Sequence, residues 1–209
     1  IGNPSRVNDK MLSFTYERRF EGHPAYTELW GIRKSIREMG NRMRKSSYSE
    51  REAARSRINH LRERATELEI QINEDLFSGA RVIASTLVSS NHRILTGWRF
   101  TTLFIDEAAQ ALEAACWIAI RKADRVIFAG DHCQLPPTIK CIEAARNGLE
   151  QTLMEKVAAN KQETVSLLKV QYRMHQSIMQ FSSEWFYQGE LQAAPEVTNR
   201  GILDLDLPM

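Results

Sequence analysis

From residue 80 onward the chain alternates between two kinds of segment. "ARVIAST" (80–86), "TTLFID" (101–106), "DRVIFAGD" (124–131) and "TVSLLKVQ" (164–171) are short runs rich in Val, Ile, Leu and Phe. Helical stretches lie between and after them: Ala108–Lys122, Gly148–Asn160, and Ser177–Gln188 closed by Gly189. Short continuous apolar runs predict strands buried on both faces. Strand alternating with helix predicts a parallel sheet with helices packed on its faces. No internal repeat or low-complexity tract interrupts the pattern.

Before residue 80 the period is helical. In "GHPAYTELWGIRKSIREMGNRMRK" (22–45), Pro24 suits a first helical turn, and Ile32, Ile36, Met39 and Met43 recur at helical spacing. Gly31 and Gly40 weaken this helix. "SSYS" (46–49) reads as a turn, and Ser49 with Glu52 forms an S-x-x-E capping box for the next helix. Ala54, Ile58, Leu61, Ala65, Leu68 and Ile72 follow at steps of four and three, a coiled-coil seam flanked by Arg and Glu. Two helices joined by a short loop pack antiparallel, so residues 24–75 are expected to form a projecting helical hairpin.

Charge follows the same division. Residues 1–75 carry 15 Lys/Arg against 12 Asp/Glu, and the rest carry 13 against 14. The net charge of +2 argues neither for nor against a nucleic-acid partner. Three cysteines without CxxC spacing exclude a disulfide framework and favour a reducing compartment. The spacing of His132, Cys133 and Cys141 fits no zinc pattern. No apolar run reaches the ~18 residues of a transmembrane helix, and no signal peptide opens the chain. A cytoplasmic location is expected, or a nuclear one in a eukaryote.

In an open parallel sheet, ligands bind beyond the carboxyl ends of the strands. Polar clusters fall at three of those ends: Asp106-Glu107, Gly130-Asp131 and Gln171-Tyr172-Arg173. Each alone is compatible with a strand-terminating cap; together they point to one crevice. Read as a Walker B pair, Asp106 binds Mg²⁺ through water, since Mg²⁺ keeps much of its hydration shell, and Glu107 polarises the attacking water. Gln134 is long enough to reach a γ-phosphate. Pro136 and Pro137 stiffen the backbone beyond it. Arg173 is always charged and can neutralise developing phosphate charge. Tyr172 either stacks on a base or fills a gap between domains.

Three ordered segments carry a family resemblance: "LFIDEAAQALEAACWI", "AGDHCQLPPT" and "VQYRMHQSIMQF". Together they resemble the superfamily 1 helicases, in the branch that contains the nonsense-mediated decay helicase and the immunoglobulin mu-binding-protein helicase. The implied fold is α/β: a partial RecA-like P-loop NTPase parallel sheet with an inserted antiparallel helical hairpin, the stalk. The implied division places 1–23 in the first RecA-like domain leading into the stalk and 24–75 in the stalk. Residues 76–162 complete the first RecA-like domain, and 163–209 begin the second.

The resemblance implies an ATP-driven translocase moving 5′ to 3′ on single-stranded DNA or RNA. Asp106 matches the Mg²⁺ residue and Glu107 the catalytic base. Gln134 matches the γ-phosphate sensor and Arg173 an arginine finger. Gly130, Asp131 and Tyr172 fall to nucleotide binding, with Tyr172 on the adenine. "VIASTLVSSN" resembles a strand and loop that touch nucleic acid, which assigns that role to Thr86, Ser89, Ser90 and Asn91. Pro136, Pro137 and Thr138 are assigned to the same partner.

Two departures shape the expectation. No G-x-x-x-x-G-K-[ST] occurs, so the sequence holds no phosphate-cradling loop. The chain starts at Ile1 and ends soon after the Arg173 region. It therefore reads as a central fragment, inactive as an ATPase without the remainder of its parent. The alternative is a non-catalytic interaction module working through the basic run Arg33, Lys34, Arg37, Arg42, Arg44 and Lys45. A different P-loop ATPase, such as a packaging motor, is disfavoured by QYRMH after the fourth apolar run.

Overall fold

The structure is a computed structural model that describes residues 1, 5, 7–43 and 48–201, with the side chain of Ser49 outside the description. The chain divides into two compact units, Ile1–Arg99 and Phe100–Met209. Among the described residues no helix is long and apolar enough to cross a membrane.

The first unit is helical: α1 (Tyr16–Glu21), α2 (Tyr26–Met43) and α3 (Tyr48–Ser78). Just ahead of α2, the His23 ring nitrogen accepts from the Ala25 amide at 3.1 Å. The seam residues Ile58, Ala65, Leu68 and Ile72 are all buried, at the spacing that puts one stripe on one face. Leu29 of α2, fully buried, meets Ala65, Leu68 and Ile72. Further along, Ile36, Gly40 and Met43 face Arg55, Ile58 and Arg62. One helix ascends while the other descends, so the pair packs antiparallel. Arg33 to Glu69 (2.7 Å) and Arg64 to Glu28 (3.0 Å) cross the pair. Exposed pairs of this kind contribute at most about 1 kcal/mol each; the buried stripe holds the helices together. Tyr16 stacks on Phe77, which meets Trp98 edge-on.

Helix α3 is already formed at Tyr48, so Ser49 lies inside it and not at its cap. Ser46 and Ser47 of the expected turn, and Arg44 and Lys45 of the basic run, lie outside the described residues.

The first apolar run, 80–86, is not a strand. Strands exist where a neighbour completes the backbone ladder, and among the described residues no strand runs beside this one; the Ile1 amino group on the Ala84 carbonyl is a single bond, not a ladder. Val82 is accordingly 86% exposed. Apolar composition marked the segment, but composition supplies no partner.

The second unit holds the sheets. Strands β1 (Phe100–Ile105) and β2 (Ala123–Phe128) pair in parallel, with Phe100 opposite Ala123 and Ile105 opposite Phe128. Strands β3 (Val170–Gln171) and β4 (Gln192–Ala193) form a second parallel pair. The parallel sense is as expected, and β3 with β4 forms a pair separate from β1 and β2. The run 164–171 shrinks to Val170 and Gln171, the residues in register with β4, the Gln192 amide donating to the Lys169 carbonyl just before them at 2.7 Å. That partner, "QA", is too short and polar to signal a strand. Burial on both faces also fails. Thr102 and Arg125, then Phe104 and Ile127, sit opposite one another on a face that leaves Phe104 69% exposed.

The crossover between β1 and β2 is α4 (Glu113–Ile120), which buries Cys116 and Ala119. Beyond β2, a one-turn α5 (Ile142–Ala144) runs into a kink at Gly148, where φ is 94°. Helix α6 (Leu153–Asn160) therefore begins later than Gly148, at a capping box. Thr152 is fully buried; its side chain accepts the Glu155 amide, and Glu155 in turn accepts the Thr152 amide at 2.7 Å. Lys156 reaches Glu113 at 2.6 Å and ties α6 to α4. Helix α7 (Gln176–Phe186) buries Met179 and Ser183. Its last turn closes through Gly189, whose φ of 76° lets its amide reach the Ser183 carbonyl at 2.9 Å.

Candidate functional site

The parallel register of β1 and β2 brings their carboxyl ends out side by side. The Ala129 amide donates to the Ile105 carbonyl at 2.8 Å, and the chain turning back from β1 returns a bond from Ala108 to the Ala129 carbonyl at 2.9 Å. Asp106-Glu107 and Gly130-Asp131 are thereby clamped together. Gly130 is the close point. A Cβ there would stand 2.9 Å from the Ala108 nitrogen, 3.0 Å from the Ala109 nitrogen and 3.1 Å from the Met154 sulfur. Only glycine permits this approach.

Glu107 takes the left-handed conformation, φ 51° and ψ 39°. For a residue with a Cβ this costs roughly 1–2 kcal/mol. The surroundings hold it there. Its amide donates to Asp106 Oδ1 at 3.0 Å, its carbonyl accepts the Gln110 amide, and its carboxylate accepts the Gln110 side chain at 3.3 Å. Strain retained at a paired carboxylate is the kind of outlier that motivates a functional reading. Asp106 and Glu107 are both exposed, and among the described residues no cation pairs with either.

Asp131 is the hub of the second turn. One carboxylate oxygen accepts the Cys133 amide at 3.0 Å. The other accepts Gln134 Nε2 at 2.8 Å and the Tyr187 hydroxyl. Burial opposes ionisation of this carboxyl, but the hydrogen bonds from Tyr187, Gln134 and Cys133 outweigh it and hold Asp131 below the usual carboxylate range. Tyr187 is pushed the other way, first by burial and then by its bond to that anion. Burial and the Asp131 charge also raise the Cys133 thiol. Ligand-type atoms of Asp131, His132 and Cys133 lie within 4.8 Å of one another. Of the Asp131 oxygens, Oδ2 already accepts two donors and Oδ1 accepts one.

The other expected residues fall as follows. Tyr172 and Arg173 leave β3 exposed, and Gln171 builds their turn. Its side-chain oxygen accepts the Arg173 and Met174 amides at 2.8 and 2.9 Å, and its nitrogen donates to the Met174 carbonyl at 2.7 Å. Pro136 and Thr138 are exposed while Pro137 is buried between them. Thr86, Ser89, Ser90 and Asn91 belong to the first unit. There the Thr86 hydroxyl donates to Ser89 Oγ at 2.8 Å and accepts the Ser89 amide, and Ser90 is buried with its hydroxyl on the Leu87 carbonyl.

Gln110 and Tyr187 were given no role from sequence, and Gln171 was named in a strand-end cluster without the turn-building role it has here. Gln110 stands three residues after Glu107, a spacing that carries a signal. Tyr187 is 56 residues from Asp131 and carries none.

The sequence matches the family profile described as AAA domain over residues 1–141, two thirds of the chain. The chain belongs to the AAA domain family. A second profile, also described as AAA domain, matches residues 149–206. This family boundary, between 141 and 149, differs from the packing division at Arg99. The two measure different things, and the family boundary is the one that bears on descent.

Relatives of this AAA-domain chain include an uncharacterized ATP-dependent helicase of Methanocaldococcus jannaschii, 29% identical over 98% of the chain and 36% of the relative. DNA-binding protein SMUBP-2 of Mesocricetus auratus is 38% identical over 98% of the chain and 21% of the relative. The regulator of nonsense transcripts 1 homolog of Arabidopsis thaliana is 39% identical over 69% of the chain and 11% of the relative. The chain spans about a fifth to a third of the length of the first relatives it matches. The resemblance to superfamily 1 helicases read from the three motifs is borne out.

Proposed function

We propose that this chain is the central part of an ATP-dependent helicase that translocates 5′ to 3′ on single-stranded DNA or RNA. One observation carries the reading: the strained Asp106-Glu107 turn is clamped against the Gly130–Gln134 turn at the carboxyl ends of two paired parallel strands. Phosphoryl transfer asks mainly for positioning and charge neutralisation, and this arrangement is built to position.

In the proposed mechanism Glu107 orients and polarises the attacking water, with Gln110 holding its carboxylate. Gln134 reaches the terminal phosphate and reports its loss through the stiff Pro136-Pro137 segment. Arg173 neutralises charge on the transferred group, and Tyr172 packs on the adenine. Their turn is kept in shape by Gln171. Asp106 fits a hard divalent cation: it is an exposed oxygen donor next to a second carboxylate, with no cation paired to it among the described residues. Mg²⁺ held by Asp106 would supply charge neutralisation at the phosphate oxygens. The α2–α3 pair is read as the stalk inserted in the first RecA-like domain. The Thr86–Asn91 segment, with Pro136 and Thr138, is read as facing the nucleic acid. The enzyme is placed in the cytoplasm, or in the nucleus of a eukaryote.

A phosphate-cradling loop provides several backbone donors and a lysine at once. Lacking that sequence, the 209-residue chain alone is expected to turn over ATP negligibly. The test compares it with the parent protein at saturating single-stranded DNA or RNA and Mg²⁺. Turnover by the chain close to that of the parent refutes the inactive-fragment claim. Absence of nucleic-acid-stimulated turnover in the parent refutes the helicase reading. Within the described part of the basic run, Arg33 is engaged by Glu69 and Lys34 lies over the Trp30 ring, which weakens the interaction-module reading.

A further inference from the structure

We infer that Tyr187 is a positioning residue for Gln134, acting through the Asp131 carboxylate, and that it couples the phosphate-sensing turn to the end of α7. The inference rests on the function proposed above.

The bonds form one connected set. Gln134 Nε2 and the Tyr187 hydroxyl donate to the same oxygen of Asp131, while the other oxygen holds the Cys133 amide. A second contact runs parallel to the first: the Cys133 sulfur lies 3.8 Å from the Phe186 carbonyl, its thiol donating. Residues 131–134 are thus tied twice to residues 186 and 187. The two sides come from different family matches, Asp131 from the one over 1–141 and Tyr187 from the one over 149–206. The tie therefore crosses from one AAA-domain match to the other.

The two donors are not equivalent. Gln134 is exposed, its side-chain amide bonded to Asp131 at 2.8 Å. Tyr187 is half-buried at the closed end of α7, where its amide bonds the Ser183 carbonyl at 3.0 Å. When Gln134 turns toward a phosphate, its place on Asp131 falls empty. The phenol stays and keeps that oxygen satisfied, so Asp131 continues to hold the Cys133 amide and the turn keeps its shape. Without the hydroxyl, Gln134 is the only side-chain donor to that oxygen among the described residues. Releasing it then strands a partly buried carboxylate, which carries a penalty the wild-type turn avoids. The sensor is held back, and a shift at Gln134 is no longer transmitted to α7.

The experiment uses the full-length parent protein, with variants compared at equal folded fraction by circular dichroism. Tyr187→Phe is expected to lower kcat for nucleic-acid-stimulated ATP hydrolysis about ten-fold while KM for ATP stays within about two-fold. Because the effect passes through Gln134, Tyr187→Phe added to Gln134→Ala is expected to cost nothing further. A general packing defect would add instead. Asp131→Asn leaves one oxygen for the Gln134, Tyr187 and Cys133 donors, breaks the hub, and is expected to lower kcat by a similar factor. It serves as the readout if Tyr187→Phe is too unstable to purify. Wild-type-like kcat in these variants, or additivity with Gln134→Ala, overturns the inference and leaves the proposed function standing. A wild-type parent without stimulated turnover overturns both.

Discussion

Replacing Gly130 with alanine adds one methyl group at the point where the β1 and β2 turns meet. That methyl would lie 2.9 and 3.0 Å from two backbone nitrogens, with the Met154 sulfur at 3.1 Å. Met154 can move aside; the backbone of Ala108 and Ala109 cannot move without carrying Glu107 with it. Relief requires the turns to part by roughly half an ångström, which stretches the 2.9 Å bond from Ala108 to Ala129. A hydrogen bond contributes about 1 kcal/mol, and overpacking costs about 1–3 kcal/mol. With partial relaxation, a loss of about 2 kcal/mol is expected. The control is the same chemical change at Gly31, inside α2, where a methyl meets nothing within 4 Å. There alanine is expected to stabilise by about 0.5–1 kcal/mol, through helix propensity alone. Amide hydrogen exchange reads each unit separately. Amides of Phe104 to Phe128 in the strands should exchange roughly thirty-fold faster in Gly130→Ala, since about 1.4 kcal/mol is a factor of ten. Amides of α2 should exchange more slowly in Gly31→Ala. Unchanged exchange in the first variant, or effects of the same sign in both, refutes the close-approach argument.

Leu29→Ala empties a fully buried site against Ala65, Leu68 and Ile72; urea unfolding of the helical unit should show a loss of about 2–5 kcal/mol. Thr152→Ala removes the acceptor at the start of α6 and is expected to cost about 1 kcal/mol in thermal or chemical unfolding of the second unit. Because Asp131 is held below the usual carboxylate range in the folded chain, its contribution is complete above the ordinary aspartate pKa. It is lost as pH falls through the lower, folded value. Acid unfolding of the wild type should therefore show a limb below about pH 4 that Asp131→Asn flattens; identical acid profiles would remove Asp131 as the hub. In the parent enzyme, Glu107→Gln is expected to abolish turnover by at least about a hundred-fold while ATP still binds, as read by fluorescent-nucleotide titration. Retained hydrolysis would assign the water-activating role elsewhere.

Local pattern was enough for some of this. The seam at Ile58, Ala65, Leu68 and Ile72 follows from residue spacing, because a helix turns every 3.6 residues whatever surrounds it. The parallel sense of β1 and β2 follows from the helix between them. The candidate chemistry follows from residue types at strand ends, where Asp106-Glu107, Gly130-Asp131 and Tyr172-Arg173 stand in order along the chain. Each of these depends on neighbours a few residues away.

What tertiary structure decided depends on partners distant in sequence. Residues 80–86 have the composition of a strand but, among the described residues, no ladder to join, and so are not one. Val170 and Gln171 are a strand because Gln192 and Ala193, a dipeptide without strand character, lie alongside. Ser49 fits a cap signature, yet the helix is already under way at Tyr48. The strain at Glu107, the approach that only Gly130 allows, and the bond from Tyr187 to Asp131 across 56 residues are in no local pattern. They come from two turns folded against each other, where spacing along the chain no longer measures distance.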